Sequence, residues 1–252
     1  MTEKILRLYP LPVRELPTGR LYEDLELPPT GRDDVSRPYV IINMVSSVDG
    51  RTAIGGKASR IGSETDRRAV RTLRSNADAV MIGANTLRAE RLSLGLDDTS
   101  FGPHPLAVIA TRTGDDLPLR RNLIVGDGQE VLVISTQRAP ENLDDRLGAR
   151  MLRVPSTLSG AVDLGEALTI LKAEHTVNLL LVEGGPNLNH ALISANLADE
   201  LFLTLAPKLI GGAVGESPAV LSGPALAARD VNLVSAHLAS DELFLRYGLH
   251  PL

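Results

Sequence analysis

Apolar residues in this chain come in short continuous runs separated by segments with helical spacing. The runs are Tyr39–Val45, Ala79–Ile82, Leu106–Thr111, Val131–Ser135, Met151–Val154, Leu179–Val182 and Leu201–Leu205. Runs without polar alternation are expected of strands buried on both faces. Between them, Ser63-Glu64-Thr65-Asp66 reads as a helix start. Ser63 is its N-cap, and Asp66 stands at the capping-box position where Glu or Gln is more usual. Ala69, Val70, Leu73 and Ala77 follow at near-helical spacing, with arginines on the other face. Further helices are expected after Gly83, at Pro140–Ala149, at Asp163–Glu174 with Asp163 as N-cap, and at Pro186–Ala195. The chain closes with strands Asn232–Leu238 and Glu242–Tyr247, joined by the tight turn Ala239-Ser240-Asp241.

Alternating strands and helices call for a mostly parallel sheet with helices on both faces, and the final hairpin adds antiparallel edge strands. Leu92–Pro105 and the Gly/Pro/Ala-rich stretch from Gly212 to Ala228 are expected to be loops. Polar Thr113–Gln129 is relieved only by the short apolar run Leu123–Val125. Residues 1–37 contain Pro10, Pro12, Pro17, Pro28 and Pro29 and read as an extended arm with one short helix near Leu21–Leu25. With no internal repeat and no linker after residue 38, residues 38–252 form one α/β domain.

Composition narrows the chemistry. Aromatic residues make up 3% of the 252 residues and Trp is absent, so the core is aliphatic and base-stacking platforms for single-stranded nucleic acid are lacking. A net charge of −5 gives no electrostatic case for nucleic acid or an anionic membrane. The absence of cysteine removes disulfides, thiolate metal sites and a cysteine nucleophile. His104, His175, His190, His237 and His250 have no metal-ligand spacing, so no metal is expected. Neither a signal peptide nor a membrane-spanning run is visible, and a cytoplasmic protein is expected.

Two strand-to-helix turns are rich in glycine: Gly83-Ala84-Asn85-Thr86 and Glu183-Gly184-Gly185-Pro186-Asn187. Glycines let a ligand approach the backbone, and the following helix N-terminus supplies unpaired N–H groups to a phosphate. Two such turns in one sheet place two strand ends at a common cleft. Neither turn is a Walker loop or a Gly-x-Gly-x-x-Gly fingerprint, so a nicotinamide cofactor would lie outside the usual Rossmann arrangement. Glu183, ending an apolar run against the glycine pair, is either a solvent-facing strand end or a carboxylate for a substrate N–H edge; the second fits where α/β sites form. Asp49-Gly50 alone is ordinary turn chemistry. Among Arg67, Arg68, Arg71 and Arg74, the last two lie three apart and are placed to face an anion together.

Three stretches taken together, YVIINMVSSVDGRTA (Tyr39–Ala53), SRIGSETDRRAVRTLRSNADAVMIGANTLRAE (Ser59–Glu90) and LLLVEGGPNLNHALISANLADELFLTLAPKLIGG (Leu179–Gly212), resemble the pyrimidine reductase of riboflavin biosynthesis. The combination of Ser-x-Asp-Gly, Gly-x-x-Thr and Val-Glu-Gly-Gly-Pro in this order is far more specific than any one of them. The resemblance implies a dihydrofolate-reductase-like three-layer α/β/α fold, a homodimer, and NADPH-dependent reduction of a ribosylaminopyrimidine 5′-phosphate to its ribitylamino form. By position it places Val45, Ser46, Gly83, Thr86, Glu90 and the turn Gly184, Gly185, Pro186, Asn187 and Leu188 on the cofactor. It places Asn43, Ser59, Arg74 and Glu183 on the substrate, with Arg74 a candidate for its phosphate, and Asp49 and Glu183 as catalytic candidates.

Two departures stand out. The acidic-acidic-proline run of the family is here Glu90-Arg91-Leu92, with only the first acid kept. The zinc deaminase carried by bifunctional members is excluded as this chain's activity, since there is no cysteine. The rival readings are a reductase of the same fold acting on another pteridine or pyrimidine such as dihydrofolate, and a non-catalytic nucleotide sensor.

Overall fold

The computed structural model describes residues 4–16, 21–22, 25–27, 36–97, 102–115, 117–212 and 217–250. Among these, one large sheet has the order β2 (Arg14–Glu15), β1 (Ile5–Tyr9), β12 (Asn232–Ala239), β13 (Glu242–Gly248), β11 (Glu200–Ala206), β3 (Tyr39–Ser47), β10 (Leu179–Val182), β4 (Ala79–Gly83), β6 (Leu106–Ala110), β8 (Val131–Thr136) and β9 (Arg150–Val154). Every pairing from β11 through β9 is parallel, and those from β11 through β13, β12 and β1 to β2 are antiparallel. Two residues, Leu92–Ser93 (β5), pair with Leu123–Ile124 (β7) outside this sheet.

The apolar runs became central strands for the expected reason. Val40, Ile41 and Ile42 of β3, and Leu180, Leu181 and Val182 of β10, are all buried, so both faces are covered. On one face α1 (Glu64–Asn76) and α2 (Ala84–Ala89) pack with Ala69, Leu73 and Leu87 against Ile41, Leu181, Val80 and Phe202. On the other, α5 (Leu164–His175) and α6 (Pro186–Ser194) bring Leu168, Leu171, Leu188 and Leu192 against Ile42, Leu180 and Val182. Burying a Leu or Ile side chain contributes about 1.5–3 kcal/mol, so these two aliphatic cores stabilise the sheet from both sides without many aromatic rings. Two shorter helices, α3 (Leu119–Asn122) and α4 (Leu143–Leu147), lie in the β6–β9 half.

Local signals explain the helix ends. Ser63 Oγ accepts from Asp66 N–H at 3.2 Å, and Asp163 Oδ1 accepts from Glu166 N–H at 3.1 Å. The reciprocal half of the expected capping box is absent. Ser63 N–H donates to Glu242 Oε1 at 3.2 Å, and Ser63 Oγ also bonds Glu242. Asp66 is therefore left free to turn its side chain inward. The C-terminal hairpin closes through Ser240 at φ +49°, but β12 is not an edge, because β1 pairs along it. The first described segment thus joins the sheet through β1 and β2: Ile5 is buried beside Ala239, and further on Leu21 and Tyr22 enter the core, Tyr22 edge-on to Phe202. The rest of the helix expected near Leu21–Leu25, at residues 23 and 24, lies outside the described residues. No described helix is long and apolar enough to cross a membrane.

Candidate active site

The two glycine turns are one structure. Strands β4 and β10 are parallel neighbours, with Val182 opposite Met81, so Gly83–Thr86 and Glu183–Asn187 leave the sheet side by side. Gly83 N–H donates to Gly184 O at 2.8 Å, and Glu183 N–H donates to Met81 O at 2.9 Å. Gly184 has φ +81°, a conformation that favours glycine, and the Gly184–Gly185 peptide is cis. At Gly185 the constraint is space: an ideal Cβ would sit 2.8 Å from Thr86 Oγ1. Gly185 is also the N-cap of α6, with Pro186 in its first turn and no side chain capping it. Gly185 as N-cap thus offers the first-turn N–H groups of α6 no side-chain acceptor, and Asn187 is exposed next to them.

Beside this turn the sheet has an open floor. Asn43 and Val45 of β3 are only half-buried although β11 pairs along them, so this stretch of the strand is partly open to solvent. Glu183 forms one border. Its carboxylate takes a paired contact from Arg74, Nε to Oε1 at 2.6 Å and Nη2 to Oε2 at 2.7 Å, while Arg74 Nη1 donates to Gly95 O at 3.1 Å. Side-chain exposures of 16% and 15% place this pair at the surface of the cleft, screened by little water. The two arginines that spacing put together are parted: Arg71 reaches Glu64 and Asp97 instead.

The opposite border is Asp66 and Thr204, both buried and hydrogen-bonded to each other. Burial is the main cause that pushes the Asp66 carboxyl up to about 6, with nearby Glu242 and Glu183 adding to it against the Thr204 hydrogen bond and Arg67. Sequence reasoning did not single out Asp66 or Thr204 as site residues. The available signals were an Asp where a capping box favours Glu, and a glycine at 62, where a Cβ would run into the Asp66 carboxylate.

The remaining expected residues sit around this floor with their polar atoms partly engaged. Asp49 is exposed and ties two loops: Ser47 Oγ donates to Oδ1 at 2.6 Å, Ile210 N–H to Oδ1 at 3.1 Å and Gly211 N–H to Oδ2 at 2.7 Å. These hydrogen bonds, that of Ser47 first, hold its carboxyl down to about 2. Ser46 is buried and donates to Ser47 O at 2.8 Å. Glu90, capping α2, accepts from Ala58 N–H at 2.6 Å, which draws the exposed Ser59 to the same rim. No group of acidic or histidine side chains among the described residues is arranged to hold a metal.

The fold is that of the dihydrofolate-reductase-like α/β class, and the named relatives of the chain make it an oxidoreductase. The RibD C-terminal domain family model matches residues 38–238, and the chain belongs to that family. The 2,5-diamino-6-ribosylamino-4(3H)-pyrimidinone 5′-phosphate reductase of Methanothermobacter thermautotrophicus is 31% identical over 182 residues, 70% of this chain and 81% of that protein. The protein of the same name from Archaeoglobus fulgidus is 33% identical over 198 residues, 74% of this chain and 87% of that protein. Among solved structures, Acinetobacter baumannii RibD superposes with a TM-score of 0.69 at 24% identity, covering 84% of this chain and 58% of that chain, a likeness of fold.

Proposed function

We propose that this protein reduces a ribosylaminopyrimidine 5′-phosphate to the ribitylamino compound in riboflavin biosynthesis, with NADPH as reductant. The observation that carries this reading is the junction of the two glycine turns, Gly83 N–H to Gly184 O at 2.8 Å, directly beside the floor bordered by Glu183 and Arg74. A dinucleotide pyrophosphate fits this junction: Gly184 and Gly185 give close backbone approach, the N-terminus of α6 supplies N–H groups, and a Cβ at 185 would fill the cradle. In this reading Gly83, Thr86 and Gly184–Leu188 hold the dinucleotide, and Val45 and Ser46 line its nicotinamide end. When bound, that cofactor supplies a hydride to the sugar C1′.

The rest is positioning by the chain's own side chains. Asn43 and Glu183 face the floor as amide and carboxylate partners for a pyrimidine edge. Arg74, locked to Glu183 in a paired contact, holds that carboxylate in the plane of the ring it reads. The phosphate then falls to Ser59 and the basic residues of the 57–60 segment, a change from the role first expected of Arg74. Asp49, ionised and bound to Ile210 and Gly211, positions the loop that closes the site. The catalytic unit is residues 38–252, with the segment before it held to the same sheet through β1. The functional form is a cytoplasmic homodimer, which the exposed apolar Val231, Leu233 and Val234 support.

The test follows NADPH absorbance with the purified protein and, in turn, a ribosylaminopyrimidine 5′-phosphate and dihydrofolate. Oxidation with the first and none with the second is the expected result. The reverse pattern would replace the substrate with a pteridine. Tight NADPH binding with no oxidation by either would make the protein a sensor.

A further inference from the structure

One buried acid at the border of the cleft has no role in the function proposed above. Asp66 lies in the first turn of α1 with 7% of its surface exposed, and its carboxyl group bonds Thr204, itself 3% exposed. Thr204 sits opposite half-buried Val45 in the β11–β3 register, so the carboxyl group lies beside the floor that Asn43 and Val45 form. Three local features free it for a task there. Ser63 N–H, which a capping-box acid would take, is satisfied by Glu242 instead. Gly62 leaves room where any side chain would strike the Asp66 carboxylate. Thr204 offers a hydroxyl, which fixes the carboxyl group in place without neutralising it as a cation would.

We propose that Asp66 is the catalytic acid of the reduction, delivering its proton to the ring oxygen of the substrate's ribose. This rests on the reading above, that the substrate is a ribosylamine. Such a sugar carries no free C=N bond, so C1′ accepts hydride only after the ring opens. As the C1′–O4′ bond breaks, its electron pair goes to O4′, which takes the Asp66 proton and becomes the C4′ hydroxyl. The lone pair on the glycosidic nitrogen forms the C1′=N bond. Hydride from the reduced nicotinamide dinucleotide adds to C1′, and the C=N pair returns to nitrogen. One hydride and one proton are consumed, and water reprotonates the Asp66 carboxylate.

The other acids at the cleft are less suited. Asp49, held at about 2 by Ser47 and the 210–211 amides, has no proton to give at neutral pH. Glu183 is committed to Arg74 by two charge-assisted contacts. Asp66 faces Glu242 from β13, Glu183 from the turn after β10 and Arg67 on its own helix; Tyr22 from the N-terminal segment also feels its charge. Beyond these, Lys208 is anchored on Ile61 O, His237 packs edge-on against Tyr22, and Arg246 lies near the same ring. Their combined effect, led by burial, holds the proton on Asp66 up to about 6, where a general acid is effective near neutral pH.

The test compares wild type, Asp66→Asn and Thr204→Val in NADPH oxidation with the ribosylaminopyrimidine 5′-phosphate across pH 5–9, alongside NADPH affinity by fluorescence. Wild-type kcat is expected to fall as pH rises through the Asp66 titration. Asp66→Asn should lose about 10²–10⁴-fold in kcat and show no such limb, with NADPH affinity unchanged. Thr204→Val removes a hydrogen bond that favours the carboxylate, so its limb should move to higher pH. A carboxyl ¹³C resonance present in wild type, absent from Asp66→Asn and titrating near 6 gives a readout independent of turnover. Wild-type turnover with an unchanged limb in a folded Asp66→Asn would overturn the proposal while leaving the reductase reading intact. No wild-type turnover of the ribosylamine would overturn the reductase reading, and this proposal with it.

Discussion

Gly185 and Thr86 approach so closely that a single added carbon on the glycine would come within 2.8 Å of the threonine hydroxyl. The φ of Gly185 is −79°, an ordinary value, so this position resists side chains for lack of space and not for backbone strain. Any substituent must displace Thr86 or intrude on the surface where the helix N-terminus opens. Gly185→Val is therefore expected to weaken NADPH binding by more than about tenfold, the equivalent of about 1.4 kcal/mol. Fluorescence titration of a variant with native circular dichroism measures it. Unchanged affinity would move the pyrophosphate elsewhere.

Much of this arrangement was legible in the chain because it depends on local pattern. Strands β3, β4 and β10 show as unbroken apolar runs since both faces are buried, and the caps Ser63 and Asp163 lie next to the helices they start. What was hidden depends on partners far away in sequence. Ser63 N–H finds Glu242, 179 positions on, and this contact is what releases Asp66 from capping. Arg71 and Arg74 are helical neighbours, yet Glu64 and Asp97 claim one and Glu183 the other, 109 positions away. Spacing identifies which side chains share a helix face but not which counter-charge the opposing strand presents. The Pro-rich N-terminal segment likewise gave no strand pattern, and β1 forms because β12 offers it a free edge.

The Arg74–Glu183 pair is expected to behave as a unit. Each side chain is about five-sixths covered, so removing one leaves the other charge partly desolvated in the cleft. Arg74→Met and Glu183→Gln should each destabilise by about 1–3 kcal/mol, less than for a fully buried pair. The double variant should cost less than their sum, with a coupling of about 1 kcal/mol or more in urea unfolding. Both single variants should raise KM for the pyrimidine far more than for NADPH. Additive stabilities would show that the pair is surface decoration.

Asp49 makes a different prediction because its carboxylate is already ionised at every working pH. Its task is to bind the amides of Ile210 and Gly211 to the end of β3. Asp49→Ala should speed hydrogen exchange at those two amides by about tenfold or more while leaving the sheet amides of β3 and β11 protected. KM should rise with little change in the pH profile. A lost pH limb would instead point to Asp49 as a proton carrier.

The elevated Asp66 carboxyl has a stability consequence that does not depend on catalysis. Its folded value, about 6, lies above the ordinary 3.8, so between these values the folded state binds more protons than the unfolded chain. Stability linked to this group is fully present below about pH 4 and is lost as pH rises through 6. At pH 7.5 the ionised carboxylate should cost on the order of 2–3 kcal/mol. Asp66→Asn keeps a polar group against Thr204 without the charge. It should therefore be more stable than wild type in urea at pH 7.5, with the two curves converging near pH 4. A variant less stable than wild type at both pH values would show that the acid is a structural support of α1. The expected gain is the stability that the chain forgoes by keeping a buried ionisable group beside Thr204.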